Sequence, residues 1–186
     1  MFSDDEKRAL LRIVRDSIAR QLGLPTGDSP PGTPPTQEKR GAFVSLHKKG
    51  TLRGCIGCLQ GSKPLHQELA ALALESAFGD SRFPPLTAEE FGEIDIEISV
   101  LTKLTEIKHV DEIEVGKHGL YIKKGVCSGL LLPQVATEYN WDRETFLEQT
   151  CWKAGLPENA WKEGAVICIF GAEVFGEKQL LNERAD

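Results

Sequence analysis

Ala42-Phe-Val-Ser-Leu-His-Lys-Lys-Gly-Thr-Leu-Arg-Gly-Cys-Ile-Gly57 holds two short alternating runs on either side of Lys48-Lys49-Gly50. Alternation with a period of two marks a strand with one buried face. A three-residue connection ending in glycine fits a type I turn followed by a left-handed bulge residue. The stretch therefore reads as a β-hairpin of residues 42–47 and 51–57. That turn pairs Leu46 with Leu52 and Val44 with Gly54 on one face. It leaves Phe43, Ser45, His47, Thr51, Arg53 and Cys55 on the other.

Working outward, Ser3-Asp4-Asp5-Glu6 is a capping box in which Ser3 caps and Glu6 reaches back. Leu10, Ile13, Val14, Ile18 and Leu22 follow at helical spacing until Gly23 and Pro25 end the helix. Residues 25–37 form a Pro/Gly-rich loop or linker inside one domain. Downstream, residues 64–78 carry a wide apolar helical arc. Residues 80–86 form a proline-containing loop, and Thr87-Ala88-Glu89-Glu90 is a second capping box. Ile94, Ile96, Ile98 and Val100 alternate with Asp95, Glu97 and Ser99 as a half-buried strand. Residues 103–117 are charged and weakly patterned. A second hairpin occupies 119–123 and 126–132, and helices are expected at 134–139 and, capped by Asp142, through residue 154. Residues 165–175 read as one final strand, its apolar run at 166–170 central in a sheet. The pattern is α+β, with antiparallel sheets and packed helices.

The chain has 186 residues, 40% hydrophobic and 27% charged, with a net charge of -6. This is the composition of one globular domain. The acidic balance disfavours a broad nucleic-acid surface, and no apolar run is long enough to span a bilayer. The N-terminus begins with acids and reads as lacking a signal peptide. Five cysteines, an odd number, point to reduced thiols and a cytoplasmic location.

The chemistry-bearing candidates gather at Arg53-Gly-Cys-Ile-Gly57. Simple alternation puts Arg53 and Cys55 on the same side of the strand, where a guanidinium would favour the thiolate. Gly54 and Gly57 would admit close approach by a ligand. A small packing thiol between bulge glycines accounts for the same residues. Cys55 and Cys58 also form a C-x-x-C, but no helix starts there and no second ligand pair supports zinc. His118 or His47 could serve as a base for Cys55 if brought within hydrogen-bond reach. Asp95, Glu97 and Ser99 are explained by solvated alternation.

The stretches Leu52-Arg-Gly-Cys-Ile-Gly57, Asp80-Ser-Arg-Phe-Pro-Pro-Leu86, Ile96-Glu-Ile-Ser-Val-Leu101, Val115-Gly-Lys-His-Gly-Leu120 and Gly129-Leu-Leu-Leu-Pro-Gln-Val135 closely resemble the AMMECR domain family, whose prokaryotic members are called AmmeMemoRadiSam system protein A. The resemblance runs from the first helix to about Phe175. It implies a single AMMECR domain over 1–186, with two unequal lobes, the larger built from both chain ends, and a cleft between them. It implies that the Leu52–Gly57 segment binds or catalyses. Taken with the residue reading above, the catalytic candidates are Cys55, Arg53 and His118, and the substrate-binding ones Gly54, Ile56, Gly57 and Ser45. It also implies a Memo-type protein and a radical S-adenosylmethionine protein as partners, with no cofactor or metal held by this chain. Relatives more often have a small polar residue where this chain has Cys58. The readings that remain are a cysteine-centred enzyme component, a non-catalytic binding module, and, against the net charge, an RNA-binding sheet.

Overall fold

The computed structural model describes residues 1–27 and 37–182, so most of the expected 25–37 loop lies outside the described residues. In chain order the elements are α1 (Asp4–Gln21), β1 (Ala42–Lys48), β2 (Thr51–Cys58), α2 (Leu65–Leu74), α3 (Ala88–Phe91), β3 (Ile94–Leu101) and β4 (Thr105–Glu106). There follow β5 (Gly119–Lys124), β6 (Cys127–Leu131), α4 (Pro133–Glu138), α5 (Arg143–Lys153), β7 (Val166–Phe170), β8 (Ala172–Gly176) and α6 (Glu177–Asn182). The fold is α+β, as the sequence predicts. Two compact units are present: Met1–Val100 with Glu173–Asp186, and Leu101–Ala172. No described helix is long and apolar enough to cross a membrane.

The first unit is a four-stranded sheet in the order β2-β1-β3-β8. Its buried face takes Ala42, Val44 and Leu46 from β1 and Ile94, Ile96, Ile98 and Val100 from β3. Against these pack Leu10, Val14 and Ile18 of α1 and Leu65 and Leu69 of α2. Burying each such aliphatic side chain contributes about 1.5–3 kcal/mol before entropy is counted. Ser3 and Glu6 close the predicted capping box on α1. Arg15 ties the C-terminal segment down, pairing with Glu177 and donating to the carbonyls of Phe91 and Ile94.

The first hairpin corrects the sequence reading. Lys49 and Gly50 both have positive φ, 52° and 81°, and Lys48 faces Thr51. The loop is therefore a two-residue turn with both central residues left-handed, not a three-residue one. A bulge then intervenes: His47 faces Leu52, but Leu46 faces Gly54, which leaves Arg53 as the extra residue. The resulting pairs are Val44 with Ile56 and Ser45 with Cys55, not Val44 with Gly54.

The helix expected over 64–78 also changes character. After α2 the chain widens into a π-helical turn, Glu75–Gly79, that lies against β2. The contact is backbone to backbone, since a Cβ on Gly54 would stand 2.1 Å from the Ser76 carbonyl oxygen. Gly57 is filled in the same way, its missing Cβ overlapping the Phe43 ring at 2.1 Å.

The second unit has its own sheet, ordered β4-β7-β5-β6, and a core of Ile113, Leu120, Ile122, Phe146, Leu147 and Ile167. The apolar β7 is an interior strand. The single strand expected at 165–175 is two, β7 and β8, which belong to different sheets. The break falls at Gly171, whose N–H donates to the Thr102 hydroxyl at 2.7 Å while its carbonyl accepts from the Thr102 N–H at 2.9 Å.

Gly54→Ala is expected to lower the unfolding free energy by about 2 kcal/mol or more, because the obstructing atom is backbone and cannot rotate away. Gly92→Ala meets nothing within 4 Å and has a negative φ of -73°, so it should be close to neutral. Urea midpoints of the two variants at unchanged m-value measure the contrast.

Candidate functional site

Cys55 lies on β2 at the edge of the first sheet, and the strand register decides its neighbours. Ser45 faces both Cys55 and Glu97, so thiol, hydroxyl and carboxylate form one row across three strands. The Ser45 hydroxyl donates to the Cys55 sulfur at 3.3 Å. In the two flanking rows of the same face, His47 faces Asp95 on one side and Phe43 faces Ser99 on the other. Cys55 is half-buried.

The main chain on either side of the sulfur is held from outside the sheet. The Cys55 N–H donates to Asp80 Oδ2 at 2.9 Å. Asp80 in turn receives a forked pair from Arg82, Nε to Oδ1 at 2.9 Å and Nη2 to Oδ2 at 2.7 Å. Arg82 Nη2 also donates to the Cys55 carbonyl at 3.1 Å. One residue on, the Ile56 N–H donates to Ser76 Oγ at 3.0 Å, and that hydroxyl donates to the Val44 carbonyl at 2.9 Å. The Ser76 hydroxyl thus bridges the two strands. The Arg82 hydrogen bonds hold the Asp80 carboxyl well below the usual carboxylate range, against the opposing effect of burial and with help from the Cys55 N–H.

Arg53 does not supply the cation beside the thiol. As the bulge residue it leaves the simple alternation, and its guanidinium grips Glu90, Nε to Oε1 at 3.2 Å and Nη2 to Oε2 at 2.9 Å. Lys48 Nζ reaches the same carboxylate at 3.2 Å. The Arg53 hydrogen bonds, ahead of that from Lys48, lower the Glu90 pKa to about 2 although burial opposes them. The cation in electrostatic contact with Cys55 is Arg82, whose side chain is 55% exposed. Both guanidiniums lie over the Phe83 ring, Arg53 at 6.0 Å and Arg82 at 5.4 Å from its centroid.

The other expected site residues fall out differently. Gly54 and Gly57 are occupied by the chain's own atoms, and Ile56 packs against the core. His118 belongs to the second unit, where its Nδ1 accepts the Glu114 N–H at 3.1 Å. All five cysteines are free thiols. Burial, first among several causes, pushes the Cys58 thiol up, and the Glu68 carboxylate adds to it. Asp80, Arg82, Ser76 and Glu90 were not singled out in the sequence. Their signal was present in the Asp80-Ser-Arg82 stretch and in the capping box that Glu90 closes with Thr87.

The AMMECR1 family model matches residues 11–175. A protein of Methanosarcina barkeri is 41% identical, with 98% of this chain and 96% of the relative covered. One of Methanothermobacter thermautotrophicus is 43% identical, covering 94% and 96%. The crystal structure of the uncharacterized protein PH0010 from Pyrococcus horikoshii is similar at a TM-score of 0.84, with 40% identity over 95% of this chain and 93% of that one. The chain belongs to the AMMECR1 family.

Acid should loosen the site through its carboxylates. The folded pKa of Glu90, about 2, lies below its ordinary 4.5, so the unfolded chain takes up protons first as the pH falls. The stability owed to the Arg53–Glu90 pair is complete above pH 4.5 and is lost as the pH falls toward 2. Asp80 acts with the same sign. Glu90→Gln should be less stable at neutral pH and show a shallower decline on acidification. Urea midpoints of both proteins, from neutral pH down to about pH 3, read out that difference.

Proposed function

We propose that this AMMECR1-family chain is a cysteine-centred component that binds a small substrate at the polar face of its first sheet and engages it through the Cys55 thiol. The observation that carries this reading is the setting of the sulfur. It is partly open, receives the Ser45 hydroxyl at 3.3 Å, and sits on main chain clamped by Asp80 and Arg82. Fixed main chain on both sides holds a nucleophile in one geometry, which is what positioning for reaction requires. The half-exposed Arg82 offers positive charge to a thiolate or to an anionic group on the substrate. Group transfer to sulfur is the chemistry such a thiol supports. An S–C bond forms at an electrophilic carbon, the leaving group departs with the electrons of the broken bond, and the thiol proton passes to solvent. The family resemblance adds a Memo-type protein and a radical S-adenosylmethionine protein as the partners this reading expects.

A second reading has its own support. No histidine hydrogen-bonds Cys55 among the described residues, and the flanking glycines serve packing. These facts favour a binding module that uses the same face without covalent chemistry. Cys55→Ser then separates the two, abolishing turnover in the first case and preserving ligand or partner binding in the second.

Thiol reactivity provides the direct test. Alkylation by iodoacetamide, mapped residue by residue, should modify Cys55 faster than Cys58, Cys151 and Cys168, whose thiols burial pushes up. Arg82→Ala should slow the alkylation of Cys55, and Arg82→Lys should retain most of the rate. Arg53→Ala should leave the rate close to that of the parent protein. A Cys55 rate equal to that of a free cysteine and indifferent to Arg82 would overturn the reading.

A further inference from the structure

Resting on the cysteine-centred reading above, we infer that the substrate met by Cys55 carries a cationic nitrogen, an amine or a guanidine, and that Glu97 receives it. Ser45 stands between the two groups, facing Cys55 on β2 and Glu97 on β3. Directly opposed residues of antiparallel strands project to the same face, so thiol, hydroxyl and carboxylate share it. Neighbouring strands lie about 4.8 Å apart, which puts the Glu97 main chain about 10 Å inward from that of Cys55. The cation would therefore sit a short chain away from the reacting carbon, on the side of the thiol that faces into the sheet.

Three observations single out this carboxylate. First, Glu97 has no hydrogen-bond or ion-pair partner among the described residues. The carboxylates around it are matched: Asp80 holds Arg82 at 2.7 Å, Glu90 holds Arg53 at 2.9 Å, and Asp95, in the flanking row, holds Lys178 at 3.4 Å. Second, Glu97 is half-buried. Partial burial strips water from a charge, and a cation brought by a ligand offsets that loss. Third, its flank is bare. The position beside it on β8 is Gly176, where a Cβ would stand 3.9 Å from the Glu97 Cβ. A glycine there leaves room for a ligand group to approach the carboxylate.

The charges around this face keep the sign negative. Asp80 with Arg82 and Asp95 with Lys178 are neutral as pairs. Arg53, Lys48 and Lys49 exceed Glu90 and Glu93 by one positive charge, but they gather at α3 and the hairpin turn. Lys48, next to His47 on β1, points to the opposite face, and Lys49 is an exposed turn residue screened by solvent.

The test compares three reagents that alkylate by one step. The sulfur bonds to the CH2 carbon, iodide leaves with the electrons of the C–I bond, and the thiol proton passes to solvent. Iodoacetamide is uncharged, iodoacetate is an anion, and N-(2-aminoethyl)iodoacetamide carries an ammonium on a short arm. Rates at Cys55 are mapped in the full chain, and each charged reagent is expressed relative to iodoacetamide, which cancels the reactivity of the thiol itself. The ammonium ratio should be about threefold or more higher in the parent protein than in Glu97→Gln, the size expected for unit charges several ångströms apart at a hydrated surface. The iodoacetate ratio should move the opposite way, and Glu97→Lys should reverse the ammonium preference. His47→Gln, which removes the other titratable side chain next to Ser45 on this face, should not lower it. In the parent protein alone, raising the salt from about 0.01 M to about 1 M should shrink the ammonium ratio. The inference is overturned if, with Cys55 reacting rapidly with iodoacetamide, the ammonium ratio is the same in the parent and in Glu97→Gln or does not respond to salt. A Cys55 no faster than free cysteine toward iodoacetamide is a different result, read from the uncharged reagent alone, and it removes the cysteine-centred reading and this inference together.

Discussion

The Gly54 main chain rests directly on the carbonyl of Ser76, and the placement of the thiol follows from that contact. Only a residue without Cβ lets the π-helical turn come so near the strand. Once it is there, the Ser76 hydroxyl reaches between β1 and β2, taking the Ile56 N–H and giving its own proton to the Val44 carbonyl. The following residues then fall into place. Asp80 meets the Cys55 N–H and Arg82 meets the Cys55 carbonyl. β2 is the outer strand of its sheet, so these side chains satisfy groups that would otherwise face outward as an open edge.

Two arginine–carboxylate forks frame this edge, and they differ in surroundings. Arg53 is a buried residue locked to Glu90, with a second cation, Lys48, on the same carboxylate. Removing one partner of such a pair strands a charge in a poorly hydrated place, which costs far more than an exposed pair is worth. Arg82 is different. Its partner Asp80 is only 4% exposed, while its own side chain is 55% exposed. The first fork is thus structural ballast for the hairpin. The second has a protected anchor and an open head, an arrangement that leaves a guanidinium available beside the sulfur.

Much of this fold was legible in the sequence because its signals are local. Ser3 with Glu6 and Thr87 with Glu90 are capping boxes spaced within one helical turn, and both are present. The alternation of Ile94, Ile96, Ile98 and Val100 is a strand with that face buried, but Ser99 on the opposite face is buried too, so solvated alternation does not describe the end of the strand. What escaped are features set by distant contacts or by a single residue of phase. The bulge at Arg53 rearranged the hairpin register without any composition cue. The partners that matter for Cys55 and Arg53 lie 25 and 37 residues away, at Asp80 and Glu90. Glycine in a motif likewise carries two meanings in a sequence, room for a ligand or room for the chain. At Gly54 and Gly57 it is the chain that fills the room. The run from 165 to 175 looked continuous because the residues around Gly171 keep strand character while the chain changes sheets.

The widened turn at Glu75–Gly79 has a geometric implication for the thiol's surroundings. A π-type turn amounts to an α-helix with one surplus residue, and each residue of an α-helix advances the azimuth by about 100°. Deleting one residue there would return the segment to ordinary winding and swing everything after it around the axis by that angle. The carboxylate at position 80 would then point away from the strand it now serves. The surplus residue therefore works as an indexing step, setting the bearing at which the descending chain arrives over the sheet edge.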